Sequence, residues 1–190
     1  MAHVAQQEYC KYVRQKFPKN FDGEITEFET PQSLGNWFSP ISVLDVGSQD
    51  INGNNRYLFK NYKYTGIDVG PGNNVDIVTP GHLFRSENLF DFIISTECFE
   101  HDKFWDLTIY NTWFHLKPGG MYLFTCAADG RPEHGTARSD GHASPHTQDY
   151  YMNLNEQLVR DRLPLQKMFS EFEFITNKNP NDLYFYGFKR

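Results

Sequence analysis

Short apolar runs recur along the chain at residues 42–46, 64–69, 75–78, 90–95 and 121–126. Each is bounded by glycine or polar residues, and most are rich in β-branched or aromatic side chains, as buried strands require. Between them the period changes. Residues 2–17 carry Ala5, Tyr9, Tyr12, Val13 and Lys16 at helical spacing and stop at Phe17-Pro18. Trp105, Ile109, Trp113 and Leu116 recur at steps of 4, 4 and 3, which is one apolar helical face. A further helix is predicted over 155–163, capped by Asn153 or Asn155. The chain then alternates over 171–177 and 183–189 around the turn Asn179-Pro180-Asn181-Asp182, a hairpin. Strands alternating with helices predict an α/β fold with a mostly parallel sheet.

The punctuation refines this order. Residues 20–40 carry three loop signals, Asp22-Gly23, Thr30-Pro31 and Ser39-Pro40, with Trp37 and Phe38 expected to staple the segment to the core. Gly70-Pro71-Gly72-Asn73-Asn74 is a turn. Leu116-Lys117-Pro118-Gly119-Gly120 reads as a helix end with a glycine cap. Residues 127–147 form a long loop leaving the fifth strand, and loops of that length in a compact domain are usually functional or disordered. Helical structure is expected to resume from Gln148.

A chain of 190 residues is long enough for one domain with a real core, here 1–190, with 1–40 as lead-in and 41–190 as the chemical core. The net charge of −6 offers no basic footprint for nucleic acid or an anionic membrane. Cys10, Cys98 and Cys126 are widely spaced without a CxxC pair, as in reduced intracellular proteins. Neither a membrane-length apolar run nor a signal peptide is visible, so a cytoplasmic protein is expected.

Chemistry concentrates in Ser-Val-Leu-Asp-Val-Gly-Ser-Gln-Asp-Ile-Asn-Gly-Asn-Asn-Arg, residues 42–56. Strand, glycine turn and a helix expected near Gly53 or Asn54 would make a ligand crevice at the carboxyl end of the sheet, with free amides at the helix start. Gly47 would let the backbone approach a ligand. Asp45 is costly to bury alone and should face a cation or donors. A dinucleotide and S-adenosylmethionine both suit such a loop. The dinucleotide fingerprint G-x-G-x-x-G fails, because Gln49 and Asn52 occupy its second and third glycine positions. A carboxylate also opposes a pyrophosphate, whereas it suits the ammonium and sulfonium of S-adenosylmethionine. Asp68 ends the second strand 23 positions later (68 − 45), where a carboxylate can accept from both ribose hydroxyls.

On these residues the chain resembles the class I S-adenosylmethionine-dependent methyltransferases. It is most similar to a bacterial and phage group with a DVGSxDxNG first motif, here Asp45 to Gly53, and a GRPEHGT loop, here Gly130 to Thr136. The 116–120 element followed by a strand is a further likeness. The resemblance implies a Rossmann-like seven-stranded sheet with an antiparallel last strand and helices on both faces. It implies cofactor contacts from Asp45, Gly47, Asp68 and Ser95-Thr96-Glu97, extended by adjacency to Ser48, Gln49 and Val69. Pro80 stands where many of these enzymes hold the adenine amino group with an acid, so adenine would be read by backbone near Gly81 and His82.

The signatures of amino-methylating DNA enzymes and of the cytosine-C5 enzymes are absent around Ser95-Thr96-Glu97-Cys98 and Thr125-Cys126. A small-molecule acceptor, methylated at oxygen, is therefore expected. The candidate bases are His101 and His134, since imidazole titrates near neutral pH. Asp140, His142 and His146 match no standard metal signature, and no metal is assigned to them. A non-catalytic cofactor-binding module is the alternative, and a dinucleotide or nucleotide-sugar enzyme a weaker one.

Overall fold

The computed structural model describes residues 3–22, 25–26, 37–38 and 40–190. Seven strands make one sheet: β1 (Ile41–Val46), β2 (Tyr62–Asp68), β3 (Ile77–Val78), β4 (Phe90–Thr96), β5 (Leu116–Ala127), β6 (Phe169–Asn177) and β7 (Asp182–Lys189). Their order is β3-β2-β1-β4-β5-β7-β6. All neighbours from β3 to β5 are parallel, while β7 runs antiparallel to both β5 and β6. The expected antiparallel last strand is thus present, one place in from the edge. Burial follows position: β1, β4 and β7, each flanked by a strand on both sides, are nearly continuous buried runs, whereas β3 at the edge is exposed. Residues 25–26 and 37–38 pair as a separate antiparallel ribbon. The expected stapling by the Trp37 and Phe38 side chains lies outside the described residues.

Two cores flank the sheet. Helices α1 (Val4–Lys16) and α2 (Pro18–Asp22) bury Tyr9, Cys10, Val13 and Phe21 against Val43, Phe92, Leu123 and Tyr184. Helices α3 (Trp105–Phe114), α4 (Glu156–Arg162) and α5 (Leu165–Met168) bury Trp105, Ile109, Val159 and Met168 against Leu44, Ile93, Tyr122 and Phe185. Asn155 is the α4 cap, accepting from the Leu158 amide at 2.8 Å. Among the described residues no helix is long and apolar enough to cross a membrane.

Three local expectations are corrected. The helix after β1 shrinks to one 3-10 turn at Arg56–Leu58. Polar side chains take the amides that a helix would use: Asp50 accepts from Gly53 N at 2.8 Å, and Asn54 from Arg56 N at 3.1 Å. Phe59 then leaves extended to pack on Phe21 and Phe92. The Pro118-Gly119-Gly120 run is not a helix cap. α3 has already ended, Leu116 pairs with Phe90, and the glycines absorb a register shift within β5, with Gly119 at φ +74°. The segment after the long loop stays non-helical to Asn155, because Leu154 is drawn into a bridge with Ala128 and fully buried.

The amino-terminal helix is also fixed by charge. His3 caps α1, and its Nε2 lies 2.9 Å from Asp182 Oδ2 and 3.6 Å from Glu97 Oε2, both carboxylates being buried. Arg131 also pairs with Asp182. The carboxylates of Asp182 and then Glu97 raise His3 from 6.5 to about 9. A raised imidazole favours the folded state fully below its unfolded value, and this contribution is lost as pH rises through the folded value. The thermal midpoint of the wild type should therefore exceed that of His3→Ala most near pH 6, with the gap closing between pH 6.5 and about 9. A gap that stays constant across that window in melting curves would show that the pair contributes nothing.

Candidate functional site

The strand order turns back between β1 and β4, and a crevice opens there outside the carboxyl ends of the strands. It is a cavity of about 340 Å³. The end of β1 and its loop contribute Asp45, Gly47, Ser48, Gln49 and Asn55; the end of β2 contributes Asp68 and Val69. Gly81 and His82 border it from the 3-10 turn after β3, and Thr96, Glu97, Cys98 and His101 from the end of β4. Ala143 to Thr147, with Asp149 and Tyr150, close it from the long loop.

Asp45 is buried and has the donors its burial demands. Tyr64 Oη donates to Oδ2 at 2.5 Å, and Asn55 Nδ2 lies 3.4 Å and 3.5 Å from the two oxygens. Asn55 Nδ2 also donates to Thr96 Oγ1 at 3.0 Å, so one amide ties β1 to β4. Burial outweighs these bonds and pushes the Asp45 carboxyl up to about 7. Asp68 accepts from the Gln49 amide at 3.1 Å and the Gly70 amide at 3.3 Å, one on each oxygen. Gly47 takes φ +76°, and a Cβ there would lie 2.3 Å from Cys98 Sγ, so only glycine fits.

At the end of β4 the chain turns sharply. Glu97 adopts φ +52°, a region costly for a non-glycine residue. It is held by its amide on Thr125 O at 2.8 Å and by Thr125 Oγ1 donating to Oε1 at 2.9 Å. Burial raises the Cys98 thiol well above its usual range, so it stays protonated at neutral pH.

Eleven of the residues singled out in the sequence thus border one cavity: Asp45, Gly47, Ser48, Gln49, Asp68, Val69, Gly81, His82, Thr96, Glu97 and His101. Ser95 does not; it is fully buried and its hydroxyl donates to Val46 O at 2.8 Å, joining β4 to β1. The Gly81 carbonyl is already engaged by Asn111 Nδ2 at 2.9 Å, which leaves it less available for a base. His134 lies behind the wall, its ring 5.2 Å from that of His101 and 5.0 Å from Tyr151. Burial, and then the facing His134, pushes His101 down to about 3, so at neutral pH it is an uncharged imidazole and a weak base. The long loop is divided: its second half borders the cavity, while its Gly130–Gly135 stretch packs behind His101. Among the described residues Asp140, His142 and His146 form no ligand cluster; His146 Nε2 lies against Pro71 O at 3.3 Å.

Sequence reasoning missed Tyr64, Asn55, Glu100 and Tyr151. Tyr64 reads as a strand residue, and only pairing of Val43 with Tyr64 brings it beside Asp45. Nothing in the local pattern marks the others.

No family model and no curated protein matches the sequence. Solved structures do match in fold. The Burkholderia thailandensis 1,6-didemethyltoxoflavin-N1-methyltransferase, with 1,6-didemethyltoxoflavin and S-adenosylhomocysteine bound, superposes with a TM-score of 0.61 at 12% identity, covering 98% of this chain and 78% of that one. The plantazolicin methyltransferase BpumL, bound to a triazolic desmethylPZN analog and S-adenosylhomocysteine, gives 0.60 at 16%, covering 98% and 83%. The N-methyltransferase NodS from Bradyrhizobium japonicum WM9, with S-adenosylhomocysteine, gives 0.55 at 16%, covering 80% and 79%. The chain has the fold of the class I S-adenosylmethionine-dependent methyltransferases.

Proposed function

We propose that the chain is an S-adenosylmethionine-dependent methyltransferase acting on a small molecule at oxygen. The observation that carries the reading is the pair of carboxylates, Asp45 and Asp68, ending adjacent parallel strands on one cavity beside Gly47. The donor set fits the cofactor: two acids face a ligand with an ammonium, a sulfonium and two ribose hydroxyls. The S-adenosylhomocysteine bound in all three structural neighbours supports the same choice.

The cofactor, when bound, supplies an electrophilic methyl group. The chain's own residues hold and orient. Asp68 spends one acceptor site per oxygen on its loop, and a carboxylate has about four, so two remain for ribose hydroxyls. Asp45, anchored by Tyr64 and Asn55, would face the cationic end. Ser48, Gln49, Val69, Thr96 and Glu97 line the walls, and Gly81 and His82 would hold the adenine. Rate enhancement then comes chiefly from holding the acceptor in line. His101 is the imidazole available at the acceptor side, with His134 packed on it.

A nitrogen acceptor is the second reading, favoured because NodS and the toxoflavin enzyme are both nitrogen methyltransferases. Incubating the protein with labelled S-adenosylmethionine and a metabolite extract, then fragmenting the labelled product, separates oxygen from nitrogen. Cofactor binding without any labelled product would leave a binding module instead.

Loss of charge-assisted hydrogen bonds costs about 1.5–3 kcal/mol. Asp68→Ala should therefore weaken S-adenosylmethionine roughly 10- to 150-fold by calorimetry, and Asp68→Asn should weaken it less while keeping a loop acceptor. Unchanged affinity in folded variants would remove Asp68 from the cofactor site.

A further inference from the structure

Behind the cavity wall lies a buried cluster that methyl transfer as read above leaves unexplained. Glu100 and His101 come from the 3-10 turn after β4 (Phe99–His101), and His134 from the loop after β5. Each offers one ligand atom, and these atoms all lie within 4.8 Å of one another. Glu100 is fully buried, and neither of its carboxylate oxygens makes a hydrogen bond; His134 Nε2 lies 3.9 Å from Oε1. His101 Nδ1 and His134 Nε2 are buried without hydrogen bonds as well. Four such polar atoms converging in the interior are rare unless something fills the space between them. Among the described residues, the nearby His3 and Arg131 side chains are both committed to Asp182.

The geometry points to a divalent transition-metal site formed by Glu100, His101 and His134. The His134 ring is set for the task, since its Nδ1 lies 3.2 Å from the Pro132 carbonyl. Donation there fixes the tautomer and leaves the Nε2 lone pair facing Glu100, the usual support for a ligating imidazole. The turn that presents His134 is closed around Glu133, which accepts from Thr136 Oγ1 at 2.5 Å and Arg138 Nε at 2.9 Å. Gly135, at φ +67°, lets that turn press on His101, where a Cβ would meet Cε1 at 2.7 Å. Two imidazoles and one carboxylate suit zinc, cobalt, nickel or iron(II) rather than magnesium or calcium. Three protein ligands leave at least one position open, as in catalytic rather than structural sites. His101 also borders the cavity, so the ion adds positive charge one imidazole from the acceptor side. This last role favours a hydroxyl that ionises on binding, and it rests on the methyl-transfer reading; ion binding itself does not.

The test uses the full chain stripped with chelator and titrated with zinc by calorimetry, and with cobalt by visible absorption. One ion per chain is expected, with ligand-field bands from cobalt bound to nitrogen and oxygen. His134→Ala and Glu100→Gln should each weaken zinc by more than about 100-fold, beyond the effect of losing an outer-shell partner. His142→Ala, an exposed histidine of the same loop, should leave the affinity unchanged. Absence of stoichiometric binding by the wild type, or binding that His134→Ala leaves intact, overturns the site. Titrating S-adenosylmethionine into the same preparations keeps the two readings apart. Cofactor binding without the ion removes only the metal site, and ion binding without the cofactor removes only the methyltransferase reading.

Discussion

A carboxyl buried at the end of the central strand is the constraint from which the site is built. Water cannot solvate Asp45, and burial holds its carboxyl near 7 despite its donors. Each donor comes from a different element: Tyr64 from β2 and Asn55 from the first loop, with Asn55 reaching on to Thr96 of β4. Satisfying one acid therefore ties three strands together at the carboxyl ends of β1 and β4. The same ends border the cavity, so their positions are set by the fold before any ligand arrives.

The sheet was legible because its strands are apolar runs whose burial is local in origin. Residues 42–46, 90–95 and 121–126 had to be interior wherever they went, and they became β1, β4 and the second half of β5. Errors fell where a local signal has two physical uses. Glycine with φ above zero ends a helix or absorbs a register shift, and Gly119 does the second. The polar run after Gly47 suits a helix start or a set of side-chain-capped turns, and Asp50 and Asn54 chose the turns.

The candidate site divides along the same line. Asp45, Gly47 and Asp68 could be found because strand, turn and carboxylate follow one another in sequence. Ser95 was singled out through the resemblance, but next to Thr96 on the same strand it points to the other side and binds β1. Glu100 and His134 met only through tertiary structure, since nothing near either residue announces the other. His101 was visible as an imidazole after β4, but its weak basicity comes from burial under the distant loop, which the sequence does not display.

The bridge between Ala128 and Leu154 has a consequence for how such a protein can diversify. It clamps both feet of the long loop to the end of β5, with the Leu154 amide on Ala127 O at 3.0 Å and Leu154 fully buried. Closure entropy grows only logarithmically with loop length. Residues between the feet, beyond Arg131 and the packed turn at His134, can then be lengthened, shortened or exchanged at small cost to the sheet, while the carboxylates of β1 and β2 stay where they are. The loop is in that sense an interchangeable cassette on a fixed socket, and divergence in what the chain recognises has a place to accumulate without reopening the fold.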